Sequence, residues 1–146
     1  MAIGSVLSLL APAKLNLFLH VLGRRPDGYH DLQSVFRCIS LFDELEIEAR
    51  ATDQRLTLSC NVDLGDLQDN LVLRAAALLQ EQSNTRYGAH VILNKRIPVG
   101  AGLGGGSSDA AAVLVGLNHL WSLQFSAAQL QRFGAELGAD IPFFIQ

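Results

Sequence analysis

Hydrophobic and polar residues alternate along much of the first half of the chain, and this period of two predicts β-strands. In KLNLFLHVL, residues 14–22, aliphatic side chains occupy one face, while the other face carries Lys14, Asn16 and His20. The segments QSVFRCISLFDELEIEA (33–49) and RLTLSC (55–60) show the same alternation. Between residues 14–22 and 33–49, the segment GRRPDGYHDL (23–32) contains Pro, Asp and Gly, which are typical of a loop.

The second half of the chain changes to the 3–4-residue spacing of helices. We expect one helix that starts at Asp69 or Asn70 and a last amphipathic helix between Ser126 and Gly138. Between them, an almost wholly apolar segment predicts a helix buried on most sides. The expected elements are a helix in 69–83, a strand in 89–99 that stops at Pro98, a helix in 107–123 and a helix in 126–138.

Several strands followed by a few long helices favour an α+β fold over alternating βαβ units. No internal repeat or low-complexity linker divides residues 1–146, so we expect one domain. The final segment, ADIPFFIQ, is apolar and strand-like, and a natural domain rarely ends on such an edge. We therefore expect this chain to be a fragment of a longer protein, whose uncovered edges promote self-association.

Composition narrows the function classes. The chain has 146 residues, 49% hydrophobic and 17% charged, which suffices for one core. Its net charge of −3 disfavours a general binder of nucleic acid or anionic membranes. No apolar stretch is long enough to span a membrane, and no basic segment marks a signal peptide. Cys38 and Cys60 lack metal-ligand spacing and are read as thiols in a reducing compartment.

The segment PVGAGLGGGSSD, residues 98–109, contains five glycines directly before a predicted helix. Backbone amides without side chains, followed by a helix N-terminus, form a site for phosphate. We expect Ser107, Ser108 and Asp109 to cap this helix, and a hydroxyl there can also reach a phosphate oxygen or Mg²⁺. The simpler alternative is a flexible turn with a helix cap.

Two known phosphate loops fit this segment poorly. It is not a Walker A loop, because no lysine follows the last glycine. Gly100-x-Gly102-x-x-Gly105 matches the dinucleotide pattern, but a glycine-dense run satisfies that pattern by chance. The surrounding unit is not βαβ, and no acidic residue follows at the required distance.

A third loop matches the whole segment. PVGAGLGGGSSDAA strongly resembles the phosphate-binding motif of the GHMP kinases, which include galactokinase, homoserine kinase and mevalonate kinase. APAKLNLFLHVLGRRPDGYHDLQSVF and LGADIPFF narrow the resemblance to the 4-diphosphocytidyl-2-C-methyl-D-erythritol kinase family of the non-mevalonate isoprenoid pathway. The resemblance covers the N-terminal portion of such a kinase, so its C-terminal GHMP domain is absent from residues 1–146.

The resemblance implies a fold, a reaction and two partners. The fold is a mixed or antiparallel sheet covered by helices, like domain 2 of ribosomal protein S5. The reaction is direct in-line transfer of a phosphoryl group from ATP with Mg²⁺ to the 2-hydroxyl of 4-diphosphocytidyl-2-C-methyl-D-erythritol. No nucleic acid or membrane partner is implied, and we expect a bacterial cytoplasmic enzyme rather than a plastid one, since no transit peptide is visible.

The resemblance also assigns residues. Asp140 is the general base, and Lys14 keeps it ionised and stabilises charge on the reacting oxygen. Asn16 contacts the erythritol portion, Tyr29 stacks on the cytosine, and His30 hydrogen bonds to it. Ser108 is also the candidate ligand for Mg²⁺. ATP is bound by Asn70, Lys95, Pro98, Gly100, Gly102, Leu103, Gly104, Gly105, Gly106, Ser107 and Ser108.

Several alternatives stay open. Asn70 also fits a plain helix cap, and Lys95 fits a charged strand end. The glycine segment alone does not exclude another GHMP kinase acting on homoserine or mevalonate, although such a kinase has no need of a base-binding Tyr29-His30 loop. A third alternative is a non-catalytic nucleotide-binding module, because the chain covers only part of the family's length.

Overall fold

The computed structural model describes residues 4–24, 26 and 30–146. For residues 18–22, 24 and 30–34 it describes the backbone alone. The predicted role of Tyr29 therefore lies outside the described residues, and so does that of the His30 side chain.

The described part of the chain forms four strands and three α-helices, in the order β1, β2, β3, α1, β4, α2, α3. The strands are β1 (Val6–Arg24), β2 (His30–Arg50), β3 (Leu56–Cys60) and β4 (Gly88–Asn94), the helices are α1 (Leu71–Ser83), α2 (Gly105–Leu120) and α3 (Ala127–Leu137), and short 3₁₀ helices span Leu67–Asp69 and Ile141–Phe144.

The four strands form one mixed sheet in the order β1-β2-β4-β3. β2 is antiparallel to both β1 and β4, whereas β3 runs parallel to β4. Leu45 and Ile47 of β2 point into the core with at most 1% of their surface exposed, while the intervening Glu46 is exposed. The helices cover this apolar face, and the core lies between the two layers. The α+β prediction, with a mixed sheet covered by helices, is confirmed.

The pairing of β1 with β2 is irregular around Lys14. Pro12 pairs with Phe42, but Lys14 pairs with Cys38, so β2 contains two extra residues at this point. Such bulges redirect side chains. Here Lys14 is only 5% exposed, while Leu15 and Leu17 of the aliphatic face are 42% and 56% exposed. Lys14 is thus buried, although Asn16, two residues further along the same face, is exposed.

Several predicted boundaries hold and several do not. Asn70 caps α1 through a hydrogen bond from the Val72 N–H, and Ser126 forms a capping box with Gln129 at α3. The expected strand across 89–99 ends at Asn94 instead of Pro98. The backbone amides of the next three residues donate to side chains instead of to a neighbouring strand. The Lys95 amide donates to Asn61, and the amides of Arg96 and Ile97 donate to Asp43.

Two predictions about helix and chain ends were wrong. Helix α2 begins at Gly105 with Gly104 as its N-cap, so Ser107, Ser108 and Asp109 lie inside the helix and do not cap it. The segment ADIPFFIQ forms no edge strand. It folds into the 3₁₀ helix Ile141–Phe144, because Ile141 and Ile145 are drawn into the core, where they are 0% and 1% exposed.

Candidate active site

A cleft of about 740 Å³ opens between the glycine loop (residues 98–104), β1, the start of α1 and Asp140. Thirteen of the residues predicted from the sequence line it, whereas Ser108 does not. They are Lys14, Asn16, Asn70, Lys95, Pro98, Gly100, Gly102, Leu103, Gly104, Gly105, Gly106, Ser107 and Asp140.

The glycine loop requires glycine for its backbone shape. Gly100, Gly102 and Gly104 have φ of 73°, 76° and 72°, a region that other residues rarely adopt. The loop is also fastened to β1, since the Lys14 N–H donates to the Leu103 carbonyl at 2.8 Å. This contact brings the loop and the lysine to the same side of the cleft.

The loop leads directly into the N-terminus of α2. Because the N-cap is Gly104, no side chain satisfies the first free amides of this helix. Gly106 is exposed in the first turn, and the nearest atom to an added Cβ there is a Leu71 methyl group at 3.9 Å. Free amides, the positive end of the helix dipole and open space suit the approach of a phosphate group.

Lys14 and Asp140 form the charged pair of the cleft. The Lys14 Nζ lies 3.2 Å from Asp140 Oδ2 and donates to Asn16 Oδ1 at 3.1 Å. The lysine side chain is 6% exposed, whereas that of Asp140 is 38% exposed. The carboxylate therefore remains accessible from the cleft while its cationic partner is held in the protein.

Packing beneath the 3₁₀ helix Ile141–Phe144 fixes the position of Asp140. Asp140 is the residue immediately before this helix, and Ile141 is fully buried against α3. A Cβ on Gly134 of α3 would lie 2.6 Å from Ile141 Cγ2, so only glycine permits this approach. The position of the acid thus depends on a small residue in a helix that does not line the cleft.

A buried ionic cluster of Asp43, Lys95 and Asp109 supports the base of the glycine loop. The Lys95 Nζ donates to Asp43 Oδ2 at 2.6 Å and to Asp109 Oδ2 at 2.9 Å, and none of the three side chains is more than 6% exposed. Asp43 Oδ1 accepts from the amides of Arg96 and Ile97. The cluster therefore joins β2, the segment before the loop, and α2.

Burial and hydrogen bonding set the charges in this cluster. Burial and a hydrogen bond with Asp43 raise the pKa of Asp109 to about 8, against the opposing effect of Lys95. Burial alone would raise the pKa of Asp43, but hydrogen bonds from Asp109, Ile97, Lys95 and Arg96 hold it below its usual value. Burial opposes the charge of Lys95, yet its two carboxyl partners outweigh burial and raise its pKa. One ammonium, one carboxylate and one protonated carboxyl leave the cluster neutral at pH 7.

Ser108 lies behind the surface of the cleft. Ser108 is 1% exposed, and its Oγ has no hydrogen-bond partner within the described chain. A buried hydroxyl without a partner costs free energy that a bound ion or ligand oxygen can recover. Ser107 does line the cleft.

The sequence analysis missed two residues of this site, Asp43 and Phe36, and gave Asp109 the wrong role of a helix cap, although both aspartates left a signal. Asp43 has the same strand parity as the inward-facing Leu45 and Ile47, which places a carboxyl on a core face. Asp109 lies one helical turn before the buried Val113. Phe36, whose ring centroid is 4.2 Å from Lys14 Nζ, gave no signal beyond its place near the lysine strand.

Comparison with known families gives this arrangement a context. Residues 70–146, just over half of the chain, match the family described as the GHMP kinases N terminal domain. The chain belongs to the GHMP kinase family. The matched segment includes the glycine loop, α2 and Asp140.

Individual GHMP kinases resemble the chain more closely. It is 54% identical over 135 residues to a 4-diphosphocytidyl-2-C-methyl-D-erythritol kinase of Ralstonia pickettii (strain 12J), covering 92% of this chain and 46% of the relative. A crystal structure of a 4-(cytidine 5′-diphospho)-2C-methyl-D-erythritol kinase matches with a TM-score of 0.81 and 44% identity, covering 94% of this chain and 48% of that one. Methanococcus jannaschii mevalonate kinase matches with a TM-score of 0.70, 18% identity and coverages of 92% and 46%, and this likeness shows the fold alone. The chain thus spans about half the length of these proteins.

We also searched residues 4–24, 26 and 30–146 for membrane-spanning helices, metal-binding groups and disulfides. No helix there is long and apolar enough to cross a membrane. Within the same residues, no group of three or more His, Cys, Asp or Glu side chains could hold a metal ion. Cys38 and Cys60 are both free thiols.

Proposed function

We propose that the complete protein containing this chain is an ATP-dependent kinase that phosphorylates the 2-hydroxyl of 4-diphosphocytidyl-2-C-methyl-D-erythritol. One observation carries the proposal: the Lys14–Asp140 pair, 3.2 Å apart, stands in the same cleft as the glycine loop and the uncapped start of α2. The 54% identity to a kinase with this name, over 92% of the chain, supports the choice of substrate.

The chain's residues supply both halves of alcohol activation. The exposed carboxylate of Asp140 accepts the proton of the attacking hydroxyl. Lys14 places its positive charge 3.2 Å from this carboxylate. An ammonium has three N–H donors: one is donated to Asn16, Asp140 lies within ion-pair distance, and a remaining donor is proposed to face the oxygen that develops charge.

The glycine loop and the first turn of α2 fit a triphosphate. Positive φ at three glycines turns the loop around the cleft, and the open surface at Gly106 admits phosphate oxygens close to the backbone. ATP with Mg²⁺ supplies the transferred phosphoryl group when bound. Ser108, with its buried unpartnered Oγ, is the proposed ligand of the Mg²⁺ ion.

We assign the adenine to the end of the cleft at Asn70 and Lys95, which both line the cleft. The Oδ1 atom of Asn70 is used by the α1 cap, and this use is compatible with contact to a nucleotide. The ammonium of Lys95 is already shared by two carboxyl groups, so we assign nucleotide contact to its aliphatic stem. Asn16 is proposed to contact the erythritol portion, and Tyr29 and His30 the cytosine.

We also propose that a C-terminal GHMP domain, outside this sequence, completes the substrate cleft. The coverage of 46% of the R. pickettii relative supports this arrangement. Residues 1–146 alone should then bind ATP weakly at most and show negligible turnover. Because that relative is bacterial, we place the enzyme in the bacterial cytoplasm and assign it to isoprenoid biosynthesis.

The deciding experiment is a coupled kinase assay of the complete protein with three alcohols in parallel. We expect ATP-dependent phosphorylation of 4-diphosphocytidyl-2-C-methyl-D-erythritol, and none of homoserine or mevalonate. Turnover of homoserine or mevalonate alone would assign another GHMP kinase activity. ATP binding without transfer to any of the three would indicate a non-catalytic nucleotide-binding module.

A further inference from the structure

The ammonium of Lys14 has a third neighbour besides Asn16 and Asp140. Its Nζ lies 4.2 Å from the centroid of the Phe36 ring, within the range of a cation–π interaction. Phe36 pairs directly across the sheet with Asn16, so the ring and the amide that contacts the ammonium belong to one rung of the β1–β2 ladder. The strand register thus places the Phe36 ring and the Asn16 amide side by side next to the Lys14 ammonium.

The same ring contacts the segment that carries Asp140. The Phe36 and Phe143 rings pack edge to face, with centroids 5.3 Å apart and planes inclined by 69°. Phe143 belongs to the 3₁₀ helix that follows Asp140 and packs in turn against Phe144, 5.1 Å away. Phe36 is therefore in contact with the lysine of the pair and with the backbone segment of the acid.

The remaining wall around Lys14 leaves its stem little freedom. A Cβ on Gly104 would lie 2.8 Å from Lys14 Cγ and 3.2 Å from Phe144 Cζ. The glycine loop thus lies against the lysine stem and against the last ring of the aromatic row. The glycine loop restricts the stem but not the direction of the terminal ammonium. The ammonium lies over the face of the Phe36 ring.

We propose that Phe36 is a positioning residue for phosphoryl transfer: its ring holds the Lys14 ammonium beside Asp140. The inference rests on the proposed function, because the pair is catalytic only in a kinase. A cation–π contact of a partly buried ammonium corresponds to roughly a 3- to 30-fold effect on an equilibrium or rate. The ring acts through Lys14, so its loss should lower kcat and leave the KM for ATP nearly unchanged.

The test compares Phe36→Leu with Phe36→Tyr in the complete enzyme. We expect Phe36→Leu to lower kcat by about 10-fold and Phe36→Tyr, which keeps the ring face, to retain at least about half of it. The matched control is Phe133→Leu, which removes another edge-to-face ring, the partner of Phe125. That control should lower thermal stability without lowering kcat.

Equal kcat for Phe36→Leu and the wild type would overturn the inference, and so would equal losses in Phe36→Leu and Phe36→Tyr. If Phe36→Leu does not fold, Phe143→Leu replaces it, with an expected loss of about 3-fold, because the ring face on Lys14 remains. A wild-type level of kcat in that variant would then count against the role.

A crystal structure of Phe36→Leu separates this inference from the proposed function, since it needs no turnover. We expect the Lys14 Nζ to move beyond about 4 Å from Asp140 Oδ2, outside salt-bridge range. An unchanged ion pair would overturn the positioning role even if the wild-type enzyme proves to be the proposed kinase. A displaced ion pair, together with a wild-type protein that has no kinase activity, would reject the proposed function while showing that the ring holds the Lys14 ammonium.

Discussion

The position that a Cβ of Gly104 would occupy is 2.8 Å from Cγ of Lys14 and 2.9 Å from Cε. The glycine loop and the lysine of the charged pair therefore share a boundary that admits no further atom. The shape of the glycine loop and the position of Lys14 beside Asp140 are thus geometrically linked.

This contact predicts that Gly104→Ala is more damaging than a glycine substitution elsewhere at positive φ. The variant combines the strain of φ 72° with displacement of Lys14, whereas Gly65→Ala has φ 76° and open space around the new methyl group. We expect Gly65→Ala to lower the free energy of unfolding by about 1 kcal/mol and Gly104→Ala by about 3 kcal/mol. Urea unfolding monitored by circular dichroism measures both, and equal losses would contradict the contact.

Replacing the acid of the charged pair should affect turnover rather than nucleotide binding. In the complete enzyme, Asp140→Asn keeps the size of the side chain but removes the proton acceptor, so kcat should fall by about 10²- to 10⁴-fold. The KM for ATP should change by less than about 3-fold. Asp63→Asn is the control, since Asp63 lies in an exposed turn and its variant keeps the oxygen that accepts from Gly65. Near-normal kcat for Asp140→Asn would remove Asp140 from the role of base.

Gly106 offers a way to separate folding from phosphate binding. It lies in the first turn of α2 with the nearest atom to an added Cβ at 3.9 Å, so Gly106→Ala should leave stability unchanged or raise it by roughly 0.5–1 kcal/mol. The methyl group would nevertheless stand where phosphate oxygens must approach. We expect the Kd for a fluorescent ATP analogue to rise at least about 10-fold, or roughly 1.4 kcal/mol. An unchanged Kd would show that the phosphates do not approach this turn.

The sequence predicted the elements better than their ends. Periodicity alone indicates α1, α2 and α3 and a set of strands, and motif resemblance brings Lys14, Asp140 and the glycine loop to one cleft. The start of α2 was misplaced because serine and aspartate are common helix caps, while here a glycine with φ 72° caps the helix and the serines enter its first turn.

The other features that the sequence did not predict depend on tertiary contacts, which local sequence patterns do not contain. The two extra β2 residues lie opposite the step from Pro12 to Lys14, and a bulge has no signature in the alternation itself. The segment after Asp140 is apolar enough for a strand, but Ile141 and Ile145 meet the core in a turn. The partners of Lys95 are 52 and 14 residues away in sequence, so its buried cluster emerges only in the folded chain.

That cluster gives stability a specific dependence on pH. The pKa of Asp109 is about 8 in the folded protein and near 3.8 when unfolded, so its contribution is complete below about pH 3.8 and is lost as pH rises towards 8. Asp109→Asn has no such titration and can still accept from Lys95 and donate to Asp43. We expect wild type to lose on the order of 2 kcal/mol relative to Asp109→Asn between pH 5 and pH 8.

Thermal or urea unfolding of both proteins across this pH range measures the difference. Histidine titrations cancel, because the two proteins contain the same histidines. Asp43 does not change the stability difference between pH 5 and pH 8, because its pKa is depressed. Its contribution to the free energy of unfolding is present above pH 3.8 and is lost only on acidification below that value. A constant difference from pH 5 to pH 8 would show that Asp109 is ionised in the native protein.

The close packing of Gly134 against Ile141 ties the position of Asp140 to the size of one residue on α3. A larger residue at position 134 would displace the segment that follows the acid, although α3 does not line the cleft. Mutational tolerance should therefore fall at Gly134, where a methyl group would displace Ile141, and stay high at its exposed neighbour Ala135. A survey of active variants would consequently find constraint at a residue that does not line the cleft.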